Sequence, residues 1–448
     1  MKHLELRAVQ LDLARQMESL AFLRDFVDYA SSCGFNALFL YLEGRVRTAS
    51  FPFPTPEDSY TPEQIRSIVE YANRKGMDVI PGTQALAHAE LFLRYPEMEE
   101  LSELRDTNMY GRWDTAARVH ETFCPSLGAT RDFLAGYFAE LAELFPSGYF
   151  HVGLDEAWHL GSCNRCRARP EGQQGIWIEY IEWLHQVVAG RLGKRMMVWD
   201  DMFQHYPQAL PTIAKDIVLC CWHYDTIADV PRWHFGDRQR IDKLTAFSDM
   251  GFDCLIAPAD GSWPNPATFT RYAGDRPCLG GLLTMWEKAS SFYEASLPVV
   301  GATGRLWNGA APAQAFRESV EALFGVSDAA FTALIQAAAD RGRFDANLGG
   351  RMASYLAGPL TAKEHGSRAL ARALRESLES YRSRLAGPRA ARVFDDLLAR
   401  LEQTELRMEL RELVPQFFQP GAKPDAAARD RVAHAAARIE NLRDRRLA

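Results

Sequence analysis

Short apolar runs alternate with stretches of helical periodicity through most of the chain, the pattern of a parallel α/β fold. Strand-like runs are read at Arg7–Leu13, Asn36–Glu43, Asp78–Ala85, Tyr149–Glu156, Met196–Met202, Ile217–His223, Phe252–Ala257 and Gly281–Trp286. That makes eight, the count of a closed (β/α)8 TIM barrel. Between the first two runs, Ser19 to Cys33 places Leu20, Leu23, Phe26, Val27 and Ala30 at helical spacing and stops at Gly34. Thr61-Pro62-Glu63-Gln64 reads as a capped helix start with proline at the first helical position, running to Lys75-Gly76. Long loops are expected after the second, third and seventh strands, at the end of a barrel where pockets form.

After about residue 310 the strand signal disappears, and alanine, arginine, leucine and glutamate dominate. Ser367–Leu385 and Ala390–Leu413 have helical periodicity with mixed charges on the outer face, and a break at Gln419–Pro424 precedes a last helix. The expected division is a barrel over 1–310 and an all-helical domain over 311–448. Its arginines read as a solvated face, and dimerisation is one role open to it.

Hydrophobic content of 47% suffices for a large core, and the net charge of −7 gives no basic footprint for nucleic acid. No run of about twenty apolar residues and no apolar leader segment is seen, so neither a membrane span nor a signal peptide is expected. Cytoplasmic residence is the corresponding expectation. Most of the eight cysteines, among them Cys33, Cys220, Cys221 and Cys254, sit in apolar surroundings and read as buried free thiols. Cys163-x-x-Cys166 stands apart. A zinc site needs two further ligands, there is no second Cys-x-x-Cys, and His159 follows the strand too closely to be a persuasive third. A structural loop is preferred, with metal and redox roles behind it, and no metal or cofactor is expected.

The most informative run is Phe150-His151-Val152-Gly153-Leu154-Asp155-Glu156-Ala157-Trp158. It sets two adjacent carboxylates at the end of an apolar strand, where a parallel barrel builds its site. Neighbouring strand residues point to opposite faces, so both reach one pocket only if the strand has ended or is distorted there. At these residues the chain resembles glycoside hydrolase family 20, the β-N-acetylhexosaminidases. That family carries His-x-Gly-Gly-Asp-Glu at the end of its fourth barrel strand; here Leu154 replaces the second glycine. The resemblance spans roughly residues 4 to 310, without the accessory α/β domain that precedes the barrel in many members.

The resemblance implies an exo-acting, substrate-assisted hydrolase of terminal β-linked N-acetylglucosamine or N-acetylgalactosamine, a family exception to the two-carboxylate scheme. Asp155 would hold the acetamido N–H in its ionised form, and Glu156, raised toward neutrality, would serve as acid and base. Arg7 opens Arg7-x-x-x-x-Asp12-x-x-Arg15, similar to the family's first-strand motif, where the first arginine grips ring hydroxyls. Glu43 ends the second strand where the family places acidic residues. His88 looks like the family's histidine beside the acid/base, and a carboxylate–His88–Glu156 relay would tune the proton. His151 reads as structural.

Trp199, Trp222 and Trp286 end three later strands and suggest an aromatic box around the acetamido methyl. Asp200 is expected to support or bind there. Tyr224 is a candidate donor to the acetamido oxygen, and Glu287 a candidate for the outer hydroxyls, although Trp286-Glu287-Lys288 departs from the family's Trp-Gly-Glu. The partner is thus an oligosaccharide or small glycoside. Alternatives are a retaining glycosidase on sugars without an acetamido group, an inactive sugar-binding barrel and, least favoured, a metal hydrolase around Cys163, Cys166 and His159.

Overall fold

The computed structural model describes residues 3–107, 120–235, 239–286, 294–340, 360–418 and 425–444. All eight expected strands are present: β1 (Leu6–Asp12), β2 (Ala37–Tyr41), β3 (Asp78–Gly82), β4 (Tyr149–His151), β5 (Arg195–Trp199), β6 (Val218–Trp222), β7 (Asp253–Ala257) and β8 (Gly280–Leu283). They pair in sequence order, all parallel, and close through β1 and β8. The predicted TIM barrel is the fold.

The elements follow from local chemistry. The Ser19 side chain accepts the Phe22 N–H at the start of the helix Leu20–Ser32, and Gly34 leaves that helix at φ +93°. Thr61 and Gln64 make a reciprocal capping box for Pro62–Arg74. Inside the barrel, Phe39, Tyr41, Ile80, Met197, Trp199, Val218, Cys220, Leu255 and Leu282 fill the core and are essentially inaccessible. At the β1–β8 seam Leu6 faces Gly280. A Cβ on Gly280 would lie 2.0 Å from the Leu6 carbonyl oxygen, so only glycine lets this seam close without a backbone shift.

Seven of the strands end one to five residues before the expected runs do, and β7 ends at Ala257 as expected. The loop after β7 is short, since a helix already begins at Pro264, whereas the next described helix after β6 begins only at Lys243. Under the loops after β2 and β3, Phe51 packs on Phe92 with centroids 5.0 Å apart and on Phe133 and Tyr137 at 6.0 Å. Each such pair adds about 0.5–1.5 kcal/mol to plain burial, which gives these loops their own core.

By compactness the chain divides into a barrel unit (1–259, 266–287, 307–309) and a second unit (260–265, 288–306, 310–448). The second unit therefore starts before the expected residue 311, taking in most of the helix Leu297–Trp307, where Ser319 Oγ donates to the Pro298 carbonyl. It continues with helices Pro312–Phe324, Ala329–Ala339, Ala362–Glu379, Gly387–Leu413 and Ala426–Asp444. Buried Glu405 accepts from Arg372 at 3.1 Å and Arg375 at 2.9 Å, so part of the arginine-rich face is paired. The expected break at 419–424 lies outside the described residues. Among the described residues no single helix is long and apolar enough to cross a membrane.

Gly280→Ala is expected to cost at least about 1–3 kcal/mol of unfolding free energy, the range for overpacking, read by urea denaturation.

Candidate active site

β4 stops at His151, and this resolves the geometric problem of two adjacent carboxylates. Gly153 (φ +76°), Leu154 (φ +75°) and Glu156 (φ +50°) all adopt left-handed conformations, so the pleat is abandoned before the pair arrives. Both side chains then face one histidine: His88 Nε2 lies 3.4 Å from Asp155 Oδ2 and 3.3 Å from Glu156 Oε2. A Cβ at position 153 would stand 1.7 Å from Gln84 Oε1, so any other residue there would displace the Gln84 amide that reaches Asp155. At Leu154, where the resemblance leads one to expect a second glycine, the strain of about 1–3 kcal/mol is offset by full burial of the leucine, worth about as much.

The turn is tied down from its neighbours. The Asp201 carboxylate accepts the Glu156 N–H at 2.9 Å, and its other oxygen accepts from Trp222 Nε1 at 3.2 Å. Gln84 Nε2 donates to Asp155 Oδ1 at 3.3 Å and to the Tyr41 hydroxyl at 2.7 Å; that hydroxyl donates to Glu43 Oε1 at 2.9 Å. His151 is structural as expected. Its Nδ1 accepts the Gly153 N–H at 3.0 Å, its ring packs between Phe39 and Trp199, and burial holds it neutral with a pKa near 3.

Charge in this mouth is strongly coupled. Burial opposes a proton on His88, but Asp155, the hydrogen bond to Glu156 and Glu90 outweigh it and push the imidazole up to about 9. Burial pushes the Glu43 carboxyl up to about 8, even with the Arg15 guanidinium nearby. Burial likewise raises Asp155, aided by Glu156 and opposed by His88. Burial thus works against the ionised form that the resemblance asks of Asp155, and His88 beside it works in favour of that form. The relay differs from expectation, because one nitrogen of His88 faces both members of the pair.

The aromatic residues converge as expected. Trp199 is the buried floor, with Trp286 at 5.9 Å between centroids, and Trp222 lies against Tyr224 at 4.9 Å. Trp286 Nε1 donates to the Tyr224 hydroxyl at 2.6 Å, and Tyr41 meets the Trp286 ring edge-on at 5.0 Å. Arg15 lies over both Tyr41 and Trp286, 5.5 and 5.6 Å from their centroids, and pairs with Asp12 at 3.0 Å.

Three expected positions change. Arg7 is the second residue of β1, about 16 Å below the strand's end at 3.3 Å per residue. There its guanidinium donates to the carbonyls of Gly34 at 2.8 Å and Leu4 at 2.6 Å, so it anchors the barrel floor and cannot grip a sugar at the mouth. Arg15, the last residue of the same motif, holds that position instead. Asp200 is fully buried on Lys243 Nζ at 2.6 Å, with its carboxyl held near 2 despite burial because Lys243 and His234 oppose it. It braces the Trp222 backbone at 3.1 Å and is closed to substrate. Glu287 lies outside the described residues. The third change concerns Cys163 and Cys166: Cys124 and Glu103 join them, whereas His159 turns away to Glu121 at 2.7 Å.

Arg15, Tyr41, Gln84, Asp201, Cys124 and Glu103 were missed as site residues. Arg15 closes the first-strand motif with Arg7 and Asp12, and Gln84 and Asp201 lie four residues and one residue from His88 and Asp200, which is the signal the sequence offers. Nothing local marks Tyr41, Cys124 or Glu103.

Residues 4–234 match the model of the glycosyl hydrolase family 20 catalytic domain, just over half of the chain. The chain belongs to glycosyl hydrolase family 20. Among its relatives, hexosaminidase D of Bos taurus is 22% identical over 64% of this chain and 86% of that protein. A beta-hexosaminidase of Akkermansia muciniphila is 31% identical, over 36% of each protein. In fold, the chain is similar to the exo β-N-acetylglucosaminidase of Vibrio harveyi, with a TM-score of 0.55 and 18% identity, covering 67% of this chain and 54% of that one. The family 20 chain is thus a glycoside hydrolase whose barrel mouth carries the carboxylate pair.

Two outcomes are expected. Since His88 binds its proton more tightly when folded, its stabilisation is complete below about 6.5 and is lost as pH rises through about 9. The stability gap between wild type and His88→Gln, read by urea denaturation, should therefore be larger at about pH 6 than at about pH 10, by the order of 2 kcal/mol. Arg15→Lys should raise KM by about tenfold or more, whereas Arg7→Lys should change it by less than about twofold.

Proposed function

We propose that this family 20 enzyme is an exo-acting β-N-acetylhexosaminidase that retains anomeric configuration by substrate assistance. The observation that carries the proposal is the convergence of Asp155 and Glu156, adjacent in sequence, on the single nitrogen of His88. Groups so placed approach a bound sugar from one side. They do not supply a nucleophile and an acid on opposite faces of the anomeric carbon, about 5 Å apart, as a two-carboxylate retaining site requires. The nucleophile then comes from the substrate.

In this reading the acetamido carbonyl oxygen attacks the anomeric carbon as the glycosidic C–O bond breaks. Glu156 gives its proton to the leaving oxygen, and Asp155 accepts the acetamido N–H and offsets the positive charge of the oxazolinium ion. Water then adds to the anomeric carbon, Glu156 takes its proton, and the acetamide is restored. The proton on Glu156 is positioned by His88, while Asp201 fixes its backbone. Trp199, Trp222 and Trp286 wrap the acetamido methyl. Tyr224, whose hydroxyl already accepts from Trp286, offers its own proton to the acetamido oxygen. Exo action is read from Arg15, which would clamp terminal ring hydroxyls beside Trp286. Cytoplasmic residence remains our reading, supported by eight free cysteines.

The test is release of nitrophenol from β-N-acetylglucosaminide, β-N-acetylgalactosaminide and plain β-glucoside. Hydrolysis of only the acetamido sugars is expected, with kcat falling about 10²–10⁴-fold in Glu156→Gln. Equal turnover of the plain glucoside would overturn the proposal, and so would undiminished activity in the variant.

A further inference from the structure

A second cluster of reactive side chains lies where the loops after β3 and β4 meet, and the carboxylate chemistry makes no use of it. Glu103, Cys124, Cys163 and Cys166 each offer one ligand atom, and all four atoms lie within 4.8 Å of one another. Every one of these side chains is buried, Glu103 and Cys124 completely. Cys124 Sγ is 3.6 Å from Cys163 Sγ and 3.7 Å from Cys166 Sγ, and Glu103 Oε2 is 3.4 Å from Cys166 Sγ.

These spacings decide between chemistries. A disulfide needs about 2.05 Å, and three sulfurs cannot all pair with one another. A tetrahedron with Zn–S bonds of about 2.3 Å puts its sulfurs about 3.8 Å apart, and a carboxylate oxygen bound at about 2.1 Å lies about 3.6 Å from each. The cluster is thus close to the edges of a tetrahedron around an ion. A plain group of buried apolar thiols would not account for Glu103, since burying a carboxylate is costly unless a cation compensates it. Among the described residues no basic side chain is ion-paired with Glu103. Its second oxygen instead accepts the Cys163 N–H at 3.2 Å, which aims the first at the sulfurs.

Supporting contacts have the form expected around bound thiolates. The Cys166 N–H donates to Cys163 Sγ at 3.3 Å within the Cys-x-x-Cys turn, and Arg165 Nη1 donates to Cys124 Sγ at 3.5 Å. We propose that Glu103, Cys124, Cys163 and Cys166 bind one zinc ion in a closed structural centre that staples the β3 loop to the β4 loop. Three thiols give up their protons on binding, and the four ligands leave no open position for a water or substrate. Thiolate sulfur favours zinc over magnesium or calcium, and the carboxylate disfavours copper(I).

The staple joins the two halves of the active site. Cys163 follows Glu156 by seven residues on one loop. On the other, Glu121 and Phe123, beside Cys124, hold Ala89 and Leu86 on either side of His88 through backbone bonds of 3.0 and 2.8 Å. The centre thereby fixes the distance between His88 and the carboxylate pair.

The test is elemental analysis of the full chain, produced with zinc in the medium and desalted. About one zinc per chain is expected in wild type and in Cys33→Ser, and less than about 0.1 in Cys124→Ser. Because Cys124→Ser can fail to fold, wild type is also stripped with a chelator and refilled with cobalt(II). Thiolate-to-cobalt charge-transfer absorption, and a fall in thermal midpoint on stripping, are the expected results. Folded wild-type protein that holds less than about 0.1 metal per chain after incubation with zinc would overturn the proposal, as would a Cys163–Cys166 disulfide found by mass spectrometry.

Discussion

Two neighbouring carboxylates can work on one sugar only if the strand carrying them stops pleating first, and most of the site follows from how β4 does so. It ends after three residues, and left-handed turns at Gly153, Leu154 and Glu156 swing Asp155 and Glu156 to a shared face. Such a turn is unstable alone and must be held by its neighbours. Gln84 fills the space above Gly153 and reaches Asp155, and Asp201 caps the Glu156 amide. Glu43 and His88, at φ +44° and +53°, show the same local strain at the ends of β2 and β3. Strain is thus concentrated at the mouth, where the rigid barrel supports it.

The same enclosure sets the proton chemistry. Asp12, Glu43, Glu90, Asp155, Glu156 and Asp201 crowd a mouth whose cations in the same network are Arg15 and His88. Burial and mutual repulsion push several of these carboxyls upward, Glu43 to about 8. A hydrolase whose acid must be protonated near neutrality gains from this arrangement. His88, pushed up to about 9, brings one nitrogen against both members of the pair.

The barrel was readable because each strand is a short apolar run bounded by polar or glycine residues, and eight such runs admit few alternatives. Their C-terminal limits were not readable: Trp286 and Glu43 look like strand residues by composition, yet the ladder ends before them. The motif containing Arg7, Asp12 and Arg15 was visible as a motif, but which arginine reaches the mouth depends on strand direction and on where the guanidinium finds acceptors. At the barrel floor Arg7 has backbone carbonyls waiting; at the mouth Arg15 has Asp12, Tyr41 and Trp286. Asp200 and Asp201 pose the same difficulty, since Lys243, a loop away, claims the first and leaves the second to the catalytic turn.

By itself the sequence determined the strand count, the helix caps and the chemical identity of the Asp155-Glu156 pair, because these depend on neighbours within a few residues. Only the tertiary structure decided which distant groups meet. Cys124 and Glu103 come to Cys163 and Cys166 from 39 and 60 residues away, and Gln84 comes to Asp155 across 71. Such meetings are set by the closure of the barrel and the packing of its loops, and no local pattern of hydrophobicity or charge encodes them.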